Sequence, residues 1–331
     1  SRDPFPQAWF ELKDTFQMRD YTIQPIWVNP VRYIAVDGQI EILEKMELRL
    51  TWQESELGAA LSQLVSDSPS FDQLVSQIVI NPPESTVFDT KEDTGEGYLI
   101  ITPDIFYESV ELQQFRLMKE DQGFIVKIEK LSNIGYTTDL IRSYINFAYT
   151  NFAPRPAYLL LVGDTNLIPG FNNFNYDELD AEFDKTTDLY YGTMDEGFIP
   201  DIAVGRLPAR SINDLQVILN KIISYNTLGF QDWHTKTSFI ASCDNYTVPE
   251  GSHDYVISNF TAPLSYPTYF PTDVTLYGGD KLYCQTYTAR ENDILDSINN
   301  KRGIITYSGH GNVSSWTELN TSYYNITSND L

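Results

Sequence analysis

From residue 98 onward, short β-branched and apolar runs alternate with stretches of helical periodicity, and this alternation restricts the fold more than any other feature of the 331-residue chain. Strand-like runs at 98–102, 124–128, 158–162, 238–243 and 303–307 are interleaved with helical patterns at 107–120, 138–149, 213–225 and 291–299. A strand, a helix and a second strand close as a βαβ unit, so the spacing predicts an α/β fold with a mostly parallel sheet and helices on both faces. Two helix starts carry capping-box logic, Ser211 with Asp214 and Thr288-Ala289-Arg290-Glu291, in which a side-chain oxygen and an acid satisfy the first-turn amides. No internal repeat or low-complexity tract breaks the pattern.

The first ninety or so residues read differently. Runs 21–36 and 38–52 alternate apolar and polar residues around Val36-Asp37-Gly38, and Asp-Gly between such runs is a hairpin signal. Residues 81–97 then turn to Pro, Ser, Thr, Gly and acids without periodicity, as an exposed linker does. These features predict a β-rich segment and linker over 1–95 and an α/β domain over 96–331.

Asp and Glu outnumber Lys and Arg 46 to 22, a formal net charge of −24 that repels a phosphate backbone or an anionic membrane and argues against nucleic-acid binding. A hydrophobic fraction of 42% with 14% aromatics excludes a disordered acidic tail. No apolar run reaches the roughly 18 residues of a membrane span. Two cysteines, Cys243 and Cys284, exclude a Cys-rich zinc site and leave at most one disulfide. The acidic balance and the Asn-x-Ser/Thr sites at Asn245, Asn259, Asn312, Asn320 and Asn325 lean towards a secreted, extracellular protein.

In an open parallel sheet, functional groups collect beyond the carboxyl ends of the strands. Three apolar runs end there in a polar group: 158–162 at Asp164, 239–241 at Asp244, and 304–307 at Ser308-Gly309-His310-Gly311. A histidine between two glycines suits acid/base work, and the Gly311 amide suits a developing oxyanion. The plain alternative is a turn histidine that satisfies local carbonyls.

Tyr307-Ser308-Gly309-His310-Gly311, followed by Trp316, resembles the Tyr-x-Gly-His-Gly element, with a Trp at the same spacing, of the gingipains, cysteine peptidases of clan CD with a caspase-like fold. Three more blocks agree in order: 158–164 with Pro169, Thr187-Asp188-Leu189-Tyr190-Tyr191-Gly192, and 200–209. The resemblance covers 98–331, and the N-terminal β segment is similar to the propeptide that precedes such domains. It implies a caspase-like three-layer domain in a secreted cysteine endopeptidase zymogen. His310 is then the general base and acid, Gly311 an oxyanion donor, and Asp244, in place of the family's Glu, the acid that orients the imidazole. Asp254 falls near the acid at the base of the primary specificity pocket, about one residue out of register, which implies at most a preference for Arg or Lys; the alternative is a solvated helix-start Asp. Trp316 is assigned with it to substrate binding.

The family's nucleophilic Cys lies on the strand after the His, and no Cys follows His310 in this sequence. The resemblance therefore implies a Cys-bearing C-terminal segment or a second chain of the same precursor as partner, and protein or peptide substrates. Cys243 could serve instead only if its strand lies beside that of His310, while Cys284 reads as structural. The chemistry requires no cofactor. The acids Asp177, Glu178, Asp180, Glu182, Asp184 and Asp188 suit a structural Ca²⁺, which the resemblance also raises, although such runs are most often solvated surface. Lys91, the sole base in the acidic stretch 89–96, is a candidate activation cut or part of a linker never cleaved. Two other readings share the fold: a sortase of the type IX secretion kind, which transfers an acyl group to an amine, and a catalytically dead binding module.

Overall fold

The structure, a computed structural model, describes residues 3–49, 68–81, 95–172, 186–195, 197–272, 277–311, 315–317 and 325–327. The chain divides into two units, Ser1–Tyr225 and Asn226–Leu331.

The N-terminal segment is built from short antiparallel pairs: β1 (Phe10–Leu12) with β4 (Ile26–Val28), β2 (Phe16–Met18) with β3 (Tyr21–Ile23), and β5 (Val31–Ile34) with β6 (Gln39–Ile42). The last pair is the hairpin expected at Asp-Gly, with Ile34 opposite Gln39 and Gly38 at φ +63°. The strands are shorter than the two alternating runs suggest, because Pro25 and Pro30 offer no N–H to a ladder. A helix, α1 (Pro69–Ile78), adds to the β-rich segment. At its start Ser68 accepts from the Phe71 amide as N-cap, and Pro69 occupies the first turn. Met18, Phe71 and Val75 pack on Ala157, so this segment shares a core with the sheet that follows.

That sheet is β7 (Gly97–Thr102), β8 (Ile125–Lys130), β9 (Pro156–Val162) and β12 (Ala203–Leu207), in the order β12–β9–β7–β8 and parallel throughout. A central strand covered on both faces must be apolar at every position. Leu99, Ile101, Leu159 and Leu161 meet Ile141, Ile145 and Ala148 of α5 (Thr138–Asn151), reached through the single turns α2 (Asp104–Tyr107) and α4 (Leu131–Ile134) and the helix α3 (Val110–Asp121). Ile100, Leu160 and Val162 face the other way, onto Leu112 and Phe115 of α3 and Leu215 and Leu219 of α7 (Ile212–Thr227). Each such buried side chain contributes about 1.5–3 kcal/mol, so the strict alternation fixes three layers. Between β9 and β12 lie the pair β10 (Phe171–Asn172) and β11 (Thr186–Thr187) and the turn α6 (Leu189–Gly192).

The single helix expected over 107–120 is divided here. Ser109 caps α3 by accepting from the Leu112 amide, which separates it from α2. Ser211 and Asp214 do form the reciprocal box at the start of α7.

The second unit repeats the plan on a smaller scale. β13 (Thr237–Ala241) lies between β14 (Asp280–Tyr283) and β15 (Ile304–Ser308), all parallel. Phe239 and Ala241 pack with Tyr283 and Ile257 at the end of α8 (Thr247–Val256). Ile240 and Leu282 pack on Ile294 of α9 (Glu291–Asn299). The expected cap at Thr288 moves: Thr288 has φ +52°, Arg290 is the N-cap, and Asp293 accepts from the Arg290 amide. The backbone pair β16 (Ser315–Thr317) and β17 (Asn325–Thr327) follows. Among the described residues no helix is long and apolar enough to cross a membrane.

Candidate active site

Because β13 and β15 are adjacent and parallel, with Ala241 opposite Ser308, the turns leaving them emerge side by side at one carboxyl edge. Asp244 follows β13 and His310 follows β15. The imidazole Nε2 of His310 lies 2.8 Å from Asp244 Oδ2, and both side chains are about half exposed, 50% and 44%. An ionised carboxylate only accepts hydrogen bonds, so Nε2 carries the proton and the neutral ring keeps its lone pair on Nδ1. Nδ1 has no hydrogen-bond partner among the described residues.

The turn that presents His310 is held from several sides. The Tyr307 hydroxyl donates to the His310 carbonyl at 2.5 Å, and the Tyr307 ring stacks on Trp316 with centroids 4.7 Å apart and planes 6° from parallel. Gly311 and Trp316 form an antiparallel bridge. At Gly309 a Cβ would lie 2.5 Å from the Tyr307 hydroxyl and 2.8 Å from Ser242 Cβ, so only glycine passes between the two strand ends. Trp316 therefore braces the histidine turn through the Tyr307 ring and the Gly311 bridge.

Cys243 and Cys284 are joined in a disulfide, with Cα atoms 5.0 Å apart. This corrects the reading of Cys243 as a stand-in nucleophile: its strand does lie beside that of His310, but its sulfur is already bonded. Cys284 is structural, as its setting suggested.

Asp254 sits in the last turn of α8 and not at a helix start. Its Oδ1 accepts from Lys281 Nζ at 2.7 Å and from the Tyr283 hydroxyl at 2.9 Å, so its described partners are these two residues and not the His310 pair. Burial first, and then the Asp254 charge, push the Tyr283 hydroxyl well above the ordinary tyrosine range. Asp164, the third polar strand end, belongs to the other unit and pairs with Arg210 at 2.5 Å. The Arg210 hydrogen bond, aided by the Thr165 amide, holds its carboxyl below the ordinary value.

Asp177, Glu178, Asp180, Glu182 and Asp184, and Lys91, lie outside the described residues. Asp188 is engaged by Arg206 in a two-pronged ion pair, Nη2 to Oδ1 at 2.7 Å and Nε to Oδ2 at 2.8 Å. Among the described residues no three His, Cys, Asp or Glu side chains are gathered to hold a metal ion.

The model of peptidase family C25 matches residues 91–331. Lys-gingipain of Porphyromonas gingivalis is 25% identical over 312 residues, covering 91% of this chain and 17% of its own length. Gingipain R2 of the same organism is 23% identical over 331 residues, covering 98% of this chain and 42% of its own. The crystal structure of the Arg-specific cysteine proteinase gingipain R superposes with a TM-score of 0.52 at 20% identity, over 71% of this chain and 50% of the other. The complex of the P. gingivalis RgpB pro- and mature domains gives 0.52 at 21% identity, over 70% and 51%. The chain thus spans about half of these solved chains and less than half of the curated relatives. The shared fold is the caspase-like α/β arrangement.

Proposed function

Because the chain belongs to peptidase family C25, we propose that it is the histidine-bearing portion of a secreted, gingipain-like cysteine endopeptidase zymogen, in which His310 is the acid and base of a Cys-His pair. The observation that carries this reading is the 2.8 Å contact between His310 Nε2 and Asp244 Oδ2 at the carboxyl edge of adjacent parallel strands. Asp244 fixes the tautomer, which leaves Nδ1 to take a thiol proton.

The nucleophile in this reading is a cysteine outside the 331 residues, because both cysteines of the chain are spent on one disulfide. The thiolate attacks the scissile carbonyl, and the Gly311 amide stabilises the resulting oxyanion. Imidazolium returns its proton to the departing amine as the C–N bond breaks, leaving a thioester. His310 then deprotonates a water that attacks the thioester carbonyl, and the returned proton releases the thiol. β15 suits a neighbour that brings such a cysteine: among the described strands it lies at the edge of its sheet, and Ile304 and Ile305 on it are exposed.

The N-terminal segment is proposed as the propeptide, in keeping with the relative solved as a complex of pro- and mature domains, and Lys91 as an activation cut. Secretion is supported by the disulfide, since such bonds persist in oxidising compartments. The test is covalent labelling of the parent polypeptide with a peptidyl chloromethyl ketone, followed by peptide mapping. The label is expected on a cysteine other than Cys243 and Cys284, and to vanish in His310→Ala. Labelling that ignores His310, or that is absent with every peptide tried, overturns the reading.

A further inference from the structure

We propose that the Cys243–Cys284 disulfide is a positioning device for the Asp244–His310 pair, holding the carboxylate where the imidazole needs it. This rests on the reading of His310 as the acid and base. The peptide ladder ends just before the site: the Ser242 amide donates to the Ser308 carbonyl at 3.0 Å and the Cys284 amide to the Ala241 carbonyl at 3.0 Å. Cys243 is the next residue, and Asp244 the one after.

What holds a side chain in place beyond that point is of unequal strength on the two sides. His310 is held by the Tyr307 hydroxyl and by the Gly311–Trp316 bridge. Asp244 has His310 as its side-chain hydrogen-bond partner among the described residues, with no amide capping the carboxylate. Asn245, directly after it, has φ +44°, the left-handed region that asparagine enters more readily than most other non-glycine residues, so the chain turns sharply right after the carboxylate. The position of the carboxylate is therefore set by backbone, and that backbone is cross-linked at the residue before it to the end of β14.

The cross-link also joins the packing under the histidine. Cys284 is buried with Ile240, Leu282 and Ile294, and Cys243, Tyr307 and Trp316 pack against the same cluster. One apolar cluster thus supports the acid through Cys243 and the base through Tyr307 and Trp316. Misplacement of a catalytic group by about 1 Å costs on the order of 100-fold in rate, so a tether at this point acts on turnover as well as on stability.

The test reads the dyad directly. The chain contains three histidines, so ring ¹⁵N resonances of His310 are assignable by difference against His310→Ala. Asp244→Ala sets the displacement that follows loss of the acid. The double variant Cys243→Ala/Cys284→Ala is expected to move the His310 signals at least half that far, while Arg302→Met, which loosens the amino edge of the same sheet, leaves them in place. In the parent polypeptide that supplies the nucleophile, the double variant is expected to lower kcat about 10- to 100-fold with KM nearly unchanged. Should the double variant not fold, reduction of the folded wild-type chain by a dithiol, which passes two electrons and two protons to the cystine and closes to its own cyclic disulfide, is read by the same signals. His310 signals that coincide with wild type in the folded disulfide-free protein overturn the proposal. If Asp244→Ala itself leaves His310 unmoved, the acid–base pairing has failed, and the positioning role falls with it.

Discussion

At the amino edge of the second sheet, opposite the His310 turn, Asp280 and Arg302 form an ion pair whose side chains are 1% and 5% exposed. Arg302 Nη2 and Nε donate to Asp280 Oδ2 at 2.7 and 3.0 Å, and Nε also reaches Ser238 Oγ at 3.0 Å. The other carboxylate oxygen accepts from the Tyr269 and Phe270 amides at 2.6 and 3.0 Å. Arg302→Met removes the cation and leaves a buried carboxylate with neutral donors only. Breaking one side of a buried, hydrogen-bonded pair costs about 3–5 kcal/mol, and that is the expected loss. Asp280→Asn alone sets an amide N–H against the guanidinium and falls in the same range. In the double variant the Asn carbonyl still serves the two amides, and Met fills the arginine's space without a charge. The double variant is therefore expected within about 1–2 kcal/mol of wild type, a coupling of at least about 4 kcal/mol. Urea titration with hydrogen exchange read at the β13 and β15 amides isolates this unit. A single variant that loses less than about 1 kcal/mol, or a double variant that loses the sum of both singles, refutes the reasoning.

Two further outcomes are expected. Arg19, in the turn between β2 and β3, is buried and donates from its guanidinium to the Pro156 carbonyl at 3.0 Å and the Asp201 carbonyl at 3.1 Å, while its amide donates to Asp201 Oδ1 at 2.6 Å; Arg19→Met strands those acceptors at a cost of about 2–3 kcal/mol, and limited proteolysis should release fragments of the N-terminal segment sooner than from wild type. His253 is buried against Phe239 and Tyr283, and burial pushes its imidazole below the ordinary value of about 6.5, with Asp254 opposing the shift in part. The unfolded chain thus takes up this proton before the folded one, so stability contributed by neutral His253 falls as pH drops below about 6.5 and levels once the folded group protonates. His253→Phe should flatten that segment of the stability–pH curve measured by urea titration at successive pH values.

Local and edge-defined features were the legible ones. The continuous apolar runs at 99–101 and 159–162 can only be strands covered on both sides, and they carry the first sheet. Asp244 and His310 were each identifiable as polar residues just past an apolar run, and adjacency of β13 and β15 is what makes them neighbours. Sequence could not supply that adjacency, and for the same reason it could not pair Cys243 with Cys284 across 41 residues or Arg19 with Asp201 across 182. Asp254 shows the limit from the other side: the resemblance placed it, about one residue out of register, near a specificity pocket, and β14 brings Lys281 and Tyr283 to its carboxylate. Apolar periodicity runs through the split between α2 and α3 and conceals it, although Ser109 marks the new cap. α1 spans only ten residues, and its Ser68-Pro69 start is a local signal beside the longer β alternation upstream.

The most direct measurement is kcat/KM for a peptide substrate of the parent polypeptide, wild type against His310→Ala, with folding of both checked by circular dichroism. Loss of the acid and base of a Cys-His pair should lower kcat/KM by about 10³-fold or more, with only the weak residue of binding and oxyanion stabilisation left. A folded His310→Ala protein that turns over substrate within about tenfold of wild type would contradict the assignment of His310, and with it the peptidase mechanism built on the Asp244 pair.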